Sequence, residues 1–329
     1  MAIRVVDGGG EGFRRADVHN AEPRNFHRTP GPLTNVADVV DFARKSLPPD
    51  TEGIAFALAG VIEDHDLVVN SPNLHFLDGV RLATEVRNAA PGTTAAVFND
   101  MEAAVTGMAA LLPEEAYFLG ITWSSGIGLR VWADGRILCV AEGGHMVLDP
   151  SPFAPVCGCG RRGHAEAVVG GRSIRRRVIA ETEALGIELP PDEPAKLLVE
   201  AWQAKEQWAL DLQQLIARAM GIFLANVQSL LHLPLIVWKG TFALNAWPSL
   251  EPLVRQEMKA RLIDPSWADE KNLAFRMSPG ADPASELVRG IGADFAPDRD
   301  ANLDALIGAA HCLRSFVESP PGSKEREVD

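Results

Sequence analysis

The sequence predicts an α/β protein of two domains that share one cleft, and three observations predict it. At 329 residues the chain exceeds the length at which single hydrophobic cores stop growing, so its core divides. Short apolar runs of strand length alternate with longer stretches whose apolar residues recur at helical spacing. Polar or glycine-rich residues repeatedly close the strands, which is where open α/β sheets place ligands.

In chain order, AIRVVD, the glycine run and GFRRADV read as a hairpin with a flexible glycine tip. A segment of mixed polarity follows and breaks at Thr29-Pro30-Gly31-Pro32. In TNVADVVDFARKSL, residues Val36, Val39, Val40, Ala43 and Leu47 share one helical face behind Thr34, a suitable cap. GIAFALAG reads as a buried strand, VRLATEVRNA as a helix, and TAAVFND as a strand ending in two polar residues. AYFLGITW and ILCVAEGGH supply two further strands, the first followed by the loop SSGIG.

SIRRRVIAETEAL and the stretch from Pro194 to about Leu231 read as helical. The strand LIVW, a turn at Lys239-Gly240-Thr241 and further helices come next. Leu303, Leu306, Ile307, Ala310 and Leu313 form the apolar stripe of a last amphipathic helix. The polar ending ESPPGSKEREVD reads as a mobile tail.

Composition narrows the function classes. A formal net charge of −13 repels nucleic acid, and the one basic cluster, Arg172, Arg175, Arg176 and Arg177, has no interleaved aromatics for base stacking. It reads as a solvated helix face. Residues Ala219 to Trp238 carry no charge and are about long enough to span a bilayer. Asn226, Gln228, Ser229, His232 and Pro234 interrupt that run, which therefore reads as a buried helix followed by a buried strand. Four cysteines in so long a chain do not make a disulfide framework, and the N-terminus lacks a secretory pattern. The expected compartment is the reducing cytoplasm, with neither membrane nor nucleic acid as partner.

Residues 157 to 164 read CGCGRRGH. Cys157 and Cys159 can leave one tight glycine turn as two soft ligands, and His145 and His164 complete a Cys2His2 shell with no open position. A closed shell implies a structural rather than a catalytic metal. The same residues also read as small buried cysteines beside surface imidazoles, and ligand chemistry alone leaves both readings open.

Residues 142 to 171, EGGHMVLDPSPFAPVCGCGRRGHAEAVVGG, closely resemble the signature of the ROK family of sugar kinases and sugar-responsive repressors. That signature is Glu-x-Gly-His, then Cys-x-Cys-Gly-x-x-Gly-Cys-x-Glu, then a short segment into a helix. The resemblance runs from about residue 3 to about residue 295. Asp7-Gly8-Gly9-Gly10 resembles the family's first phosphate hairpin, SPNLHFLDG its sugar-side loop, and Phe98-Asn99-Asp100 the strand end bearing the catalytic aspartate. ITWSSGIG resembles the second phosphate loop and LIVWKGT the adenosine-side turn.

The resemblance implies a two-domain actin-like ATPase (ribonuclease H-like) fold. Its expected parts are a smaller domain over 1–115, a larger one over 116–317 whose last helix packs back on the first, and a mobile tail over 318–329. It implies ATP-dependent phosphorylation of a hexose or N-acetylhexosamine, with magnesium accompanying ATP and a structural zinc bracing the sugar loop. Asp100 is the implied general base. Gly60, Asn73, Asn99, Asp100, Glu142, His145 and Glu166 are the implied sugar contacts. Gly8, Gly9, Gly10, Ser124, Ser125, Gly126 and Gly128 line the phosphates, and Gly240 and Thr241 the adenosine. His145, Cys157, Cys159 and His164 are the implied zinc ligands, and a homodimer is compatible with the family.

Three residues depart from the pattern: Glu11 stands in place of Thr or Ser, Lys239 in place of Gly, and His164 in place of the last Cys. A carboxylate at position 11 would repel a triphosphate. The alternative function is therefore a sugar-binding pseudokinase or regulatory protein with weakened ATP use.

Overall fold

The computed structural model describes residues 2–9, 12–29, 31–139, 142–188, 194–282, 285–289 and 303–318. The chain forms two compact units. One comprises Met1–Ala116, Gly135–Ile137 and Pro279–Asp329; the other comprises Tyr117–Asp134 and Leu138–Ser278.

The first unit begins with β1 (Ala2–Gly9), β2 (Gly12–His19), β3 (Glu22–Arg28), α1 (Val36–Arg44) and β4 (Thr51–Leu58). It continues through β5 (Val61–Glu63), β6 (Leu67–Asn70), a 3-10 turn (His75–Leu77), β7 (Val80–Arg81), α2 (Leu82–Ala89), β8 (Thr94–Asn99) and α3 (Asp100–Leu111). The second unit contains β9 (Tyr117–Trp123), β10 (Ile127–Ala133), β11 (Arg136–Cys139), a 3-10 turn (Gly143–His145), α4 (Ala165–Val169) and α5 (Gly171–Leu185). Then follow α6 (Pro194–Gln203), α7 (Gln207–Leu231), β12 (Leu235–Lys239), α8 (Thr241–Lys259) and β13 (Ala274–Met277). The chain returns to the first unit with α9 (Glu286–Arg289) and α10 (Asp304–Glu318).

The first sheet has the order β3-β2-β1-β4-β8. Its β1 and β2 are antiparallel, whereas β1, β4 and β8 run parallel and are buried on both faces. Successive residues therefore serve opposite cores: Val5 and Ala55 join α3 and α10 on one face, and Val6 and Phe56 join α1 and α2 on the other. A separate small sheet, β5-β6-β7, precedes α2.

The second sheet has the order β11-β10-β9-β12-β13. Leu119, Ile121, Trp123, Ile236 and Trp238 pack on α7 and α8 through one continuous cluster. Among the described helices α7 alone is long and apolar enough to cross a membrane, and it is this unit's core helix. Arg172, Arg175 and Arg176 are exposed on α5.

Several sequence expectations shift. Gly8 and Gly9 are not a hairpin tip: they pair with Phe13 and Gly12 inside the β1-β2 ladder. Gly10 and Glu11 lie outside the described residues. The α1 cap is Asn35 rather than Thr34, because the Asn35 side chain accepts from the Asp38 N–H at 2.9 Å. The segment after β2 is a third strand, and Gly128 belongs to β10 rather than to a loop. The single helical stretch from Pro194 to Leu231 is two helices, interrupted where Lys205 adopts φ +59°.

Candidate functional site

Each unit contributes its own group of chemically active residues. In the first, β8 ends at Asn99 and α3 begins at Asp100. Asn99 is the N-cap: its Oδ1 accepts from Met101 N at 2.9 Å and Glu102 N at 3.2 Å. Its Nδ2 donates to Gly60 O at 2.9 Å, tying the end of β8 to the turn after β4. Capping thus falls to the residue before the carboxylate. Asp100 is half-buried and accepts from Met101 N at 2.9 Å through Oδ1.

Gly60 adopts φ +133°, and a Cβ there would collide with Asn70 O, so local backbone geometry alone accounts for glycine. Asn73 is exposed in the loop before the 3-10 turn. Two bonds pin that loop at its base: Ser71 N donates to Asp78 Oδ1 and Ser71 Oγ to Ala59 O, both at 2.7 Å. The Ser71 N–H holds the Asp78 carboxyl below its ordinary range, against the opposing effect of desolvation and with help from His75.

In the second unit, residues 124–126 join β9 to β10. Gly171 N donates to Ser124 O at 3.0 Å and Arg172 N to Ser125 O at 2.8 Å, so these two carbonyls are turned onto the first turn of α5. Beside this loop stands Glu166, in the first turn of α4, whose Oε2 accepts from Ile127 N at 3.3 Å. Glu142 is largely exposed and is reached by Arg130 Nη2 at 3.3 Å from strand β10, where the arginine is only 2% exposed.

His145, Cys157, Cys159 and His164 converge, with one ligand atom from each within 4.8 Å of all the others. Backbone bonds explain why. Cys157 N donates to Arg161 O at 2.7 Å and Gly160 N to Cys157 O at 2.9 Å, closing the turn that carries both thiols. Ala165 N donates to Met146 O at 2.8 Å, and Val147 bridges His164, which brings the two histidine segments together.

The donor distances are 3.1 Å between the two Nδ1 atoms, 3.6 Å from Cys157 Sγ to His145 Nδ1, and 3.3 Å from Cys159 Sγ to His164 Nδ1. Tetrahedral bonds of zinc length would place neighbouring donors about 3.3–3.8 Å apart, so the set fits such an ion. Burial raises the Cys157 thiol above its usual range against the Cys159 backbone N–H, while the Cys159 thiol and the Glu166 charge add to the rise; a bound cation would reverse it.

At the remaining predicted turn, Gly240 is the N-cap of α8 with φ +108° and lies against the Trp123 backbone, and Thr241 opens the helix. Lys239 ends β12 and is buried. The structure therefore gathers Asn99, Asp100 and Gly60 in one unit, and the Cys/His cluster with Glu166 and residues 124–126 in the other. Sequence reasoning missed Arg130 and Asp78. An arginine inside the apolar run IGLRVWA was the available signal for the first; the second lay within SPNLHFLDG without a distinguishing pattern.

Two α/β units, one with a mixed sheet opening on an antiparallel hairpin and one with a meander leading into parallel strands, make this an actin-like ATPase fold. A ROK family glucokinase from Streptomyces griseus, solved with glucose and AMPPNP, superposes with a TM-score of 0.70 at 21% identity, covering 96% of this chain and 100% of that one. The chain belongs to the ROK family, whose model matches residues 5–280. Among curated relatives, the glucokinase of Aeropyrum pernix is 29% identical over 306 residues, 82% of this chain and 94% of the relative. An N-acetylmannosamine kinase from Salmonella typhi is 28% identical over 256 residues, 74% and 84% respectively.

Proposed function

We propose that the protein is an ATP-dependent sugar kinase acting on a hydroxyl of a hexose or N-acetylhexosamine. The observation that carries this is the position of Glu166. It follows His164 of the Cys/His cluster by two residues and accepts a backbone bond from Ile127 beside Ser124–Gly126. One carboxylate thus ties the metal cluster to a loop suited to phosphate.

A sugar hydroxyl is a poor nucleophile at neutral pH, so a carboxylate must accept its proton as the bond to phosphorus forms. Asp100 takes that role, since Asn99 already caps α3. Gly60, Asn73, Asn99, Glu142, His145 and Glu166 are the sugar contacts of this reading, since amides, carboxylates and an imidazole can satisfy neighbouring hydroxyls. The β1-β2 hairpin and the loop Ser124–Gly126, whose Ser124 N–H is already given to Gly126 O at 3.2 Å, receive phosphate oxygens, and Gly240 and Thr241 border the adenosine. Magnesium accompanying ATP neutralises charge on the phosphates.

His145, Cys157, Cys159 and His164 would hold a zinc ion, and with four protein donors it would brace the loop rather than activate a water. Both imidazoles direct Nδ1 into the cluster, which leaves His145 Nε2 to meet a sugar hydroxyl. A reducing cytoplasm suits these thiols. Incubation with Mg-ATP and a panel of hexoses and N-acetylhexosamines, read by coupled ADP detection, tests the proposal. Sugar-dependent ADP release is expected; its absence across the panel, with sugar binding retained, would establish the pseudokinase instead.

A further inference from the structure

Arg130 stands in the middle of β10 with only 2% of its side chain exposed, while the Glu142 carboxylate that it reaches is 67% exposed. A charge withdrawn into a sheet is costly unless opposite charge and hydrogen bonds answer it. Leu129 and Val131, on either side, belong to the hydrophobic cluster, which puts Arg130 on the opposite face of the sheet. Its partner across β9 is Gly120, which has no side chain to crowd the arginine stem. Nη1 donates to Leu129 O at 2.9 Å, and Nη2 donates to Glu142 Oε1 at 3.3 Å.

The segment that carries Glu142 is pressed onto the same strand. A Cβ on Gly143 would overlap the Leu129 side chain, and one on Gly144 would collide with Ile127 O, so glycine lets this backbone seat directly on β10. His145 N donates to Glu142 O at 2.9 Å and Met146 N to Gly143 O at 3.0 Å, closing the turn that leads from Glu142 into the Cys/His cluster. The Glu142 backbone is therefore held from both sides. Its long side chain is held by Arg130 through Oε1, and Oε2 has no partner among the described residues.

We propose that Arg130 is a positioning residue for the sugar: it grips Glu142 by Oε1 so that Oε2 is offered, already oriented, to a sugar hydroxyl that donates. This rests on the reading of Glu142 as a sugar contact. An exposed glutamate that had to be ordered on binding would give up affinity, and an arginine that orders it beforehand removes that loss. Arginine suits the task because its planar fork fixes direction, where lysine would supply charge alone.

A double-mutant cycle on the full chain tests it, with calorimetry of glucose and N-acetylmannosamine on Arg130→Met, Glu142→Ala and the double variant. Arg130→Met should weaken the tighter-bound sugar by about fivefold to tenfold in the native background and cost nothing further once Glu142 is alanine. Its sugar KM should rise with kcat and the ATP KM nearly unchanged, and Arg130→Lys should recover only part of the loss. Methionine replaces a buried charge with an apolar chain, so the ligand-free Arg130→Met protein should melt at the same or a higher temperature. Should Arg130→Met not fold, Arg130→Lys completes the same cycle. Unchanged sugar affinity on replacing Arg130, or an equal loss with and without Glu142, overturns the proposal while leaving Glu142 a sugar contact. Unchanged affinity in Glu142→Ala, or no binding of either sugar to the native protein, overturns the sugar-contact reading and this inference with it. Coupling between the two residues without sugar-dependent ADP release would uphold this inference while removing the kinase reading.

Discussion

Glu166 and Gly126 touch so closely that a methyl group on Gly126 would overlap the Glu166 carboxylate. The obstacle is the far end of a flexible side chain rather than backbone, so Gly126→Ala can be accommodated by moving Glu166. Stability should then change by less than about 1 kcal/mol, while sugar affinity falls by about tenfold if Glu166 is the sugar contact proposed above. Thermal unfolding and sugar titration on the same variant check this. A large loss of stability with normal sugar affinity would show that the contact only packs the loop.

The same pair marks what the sequence could reveal. The convergence of the Cys/His cluster was legible because its spacing is largely a property of a local segment, whereas Glu166 stood out only through the family resemblance; parallel strands such as GIAFALAG and LIVW were legible because burial on both faces makes them continuously apolar. The strand EPRNFHR was not, since an edge strand with exposed side chains and a proline lacks that pattern. Nor was β10, where a buried arginine interrupts the alternation. The closeness of Gly126 to Glu166 joins residues forty apart in sequence, and only the fold supplies it.

Asn99 and Asp100 should separate structure from chemistry. Asp100→Asn keeps shape and volume but removes the proposed proton acceptor, so turnover should fall by about 10²–10⁴ with little change in sugar affinity or melting temperature. Asn99→Ala removes the α3 cap and the bond to Gly60, and should cost about 1 kcal/mol of stability. Steady-state kinetics paired with thermal unfolding check both variants. Comparable turnover losses without any stability difference between them would argue against assigning the proton to Asp100.

For the Cys/His cluster, elemental analysis should find zinc, and chelation should lower melting temperature and sugar affinity together. His164→Cys supplies another good zinc ligand at the same position and should retain metal, whereas Cys157→Ser should lose it. Metal content and sugar affinity are measured on each. If zinc leaves and sugar binding is unaffected, the metal braces nothing that the sugar touches.

Asp66 gives a test of the first unit's framework through pH. Its carboxylate accepts from Thr84 N and Thr84 Oγ1, each at 2.8 Å, with Arg81 at 3.4 Å and Arg87 at 3.6 Å. Burial pushes its pKa upward, but the Thr84 bonds and the two arginines outweigh it, and the net shift is downward from 3.8. A lowered folded-state pKa means that protonation favours unfolding. The stabilisation is therefore complete well above the unfolded value and disappears as pH falls through the folded one. Asp66→Asn keeps an acceptor for Thr84 N but loses the charge, so it should cost about 1–2 kcal/mol at pH 7. That difference should shrink as the pH is lowered through about 4 and vanish below the folded-state pKa. Hydrogen exchange of α2 amides in both proteins, at neutral and acid pH, reports it at the helix whose start Asp66 secures, since its own carbonyl also accepts from Leu82 N at 2.9 Å. A gap that stayed constant with pH would mean that the hydrogen-bond geometry, and not the ionised carboxylate, holds α2 in place.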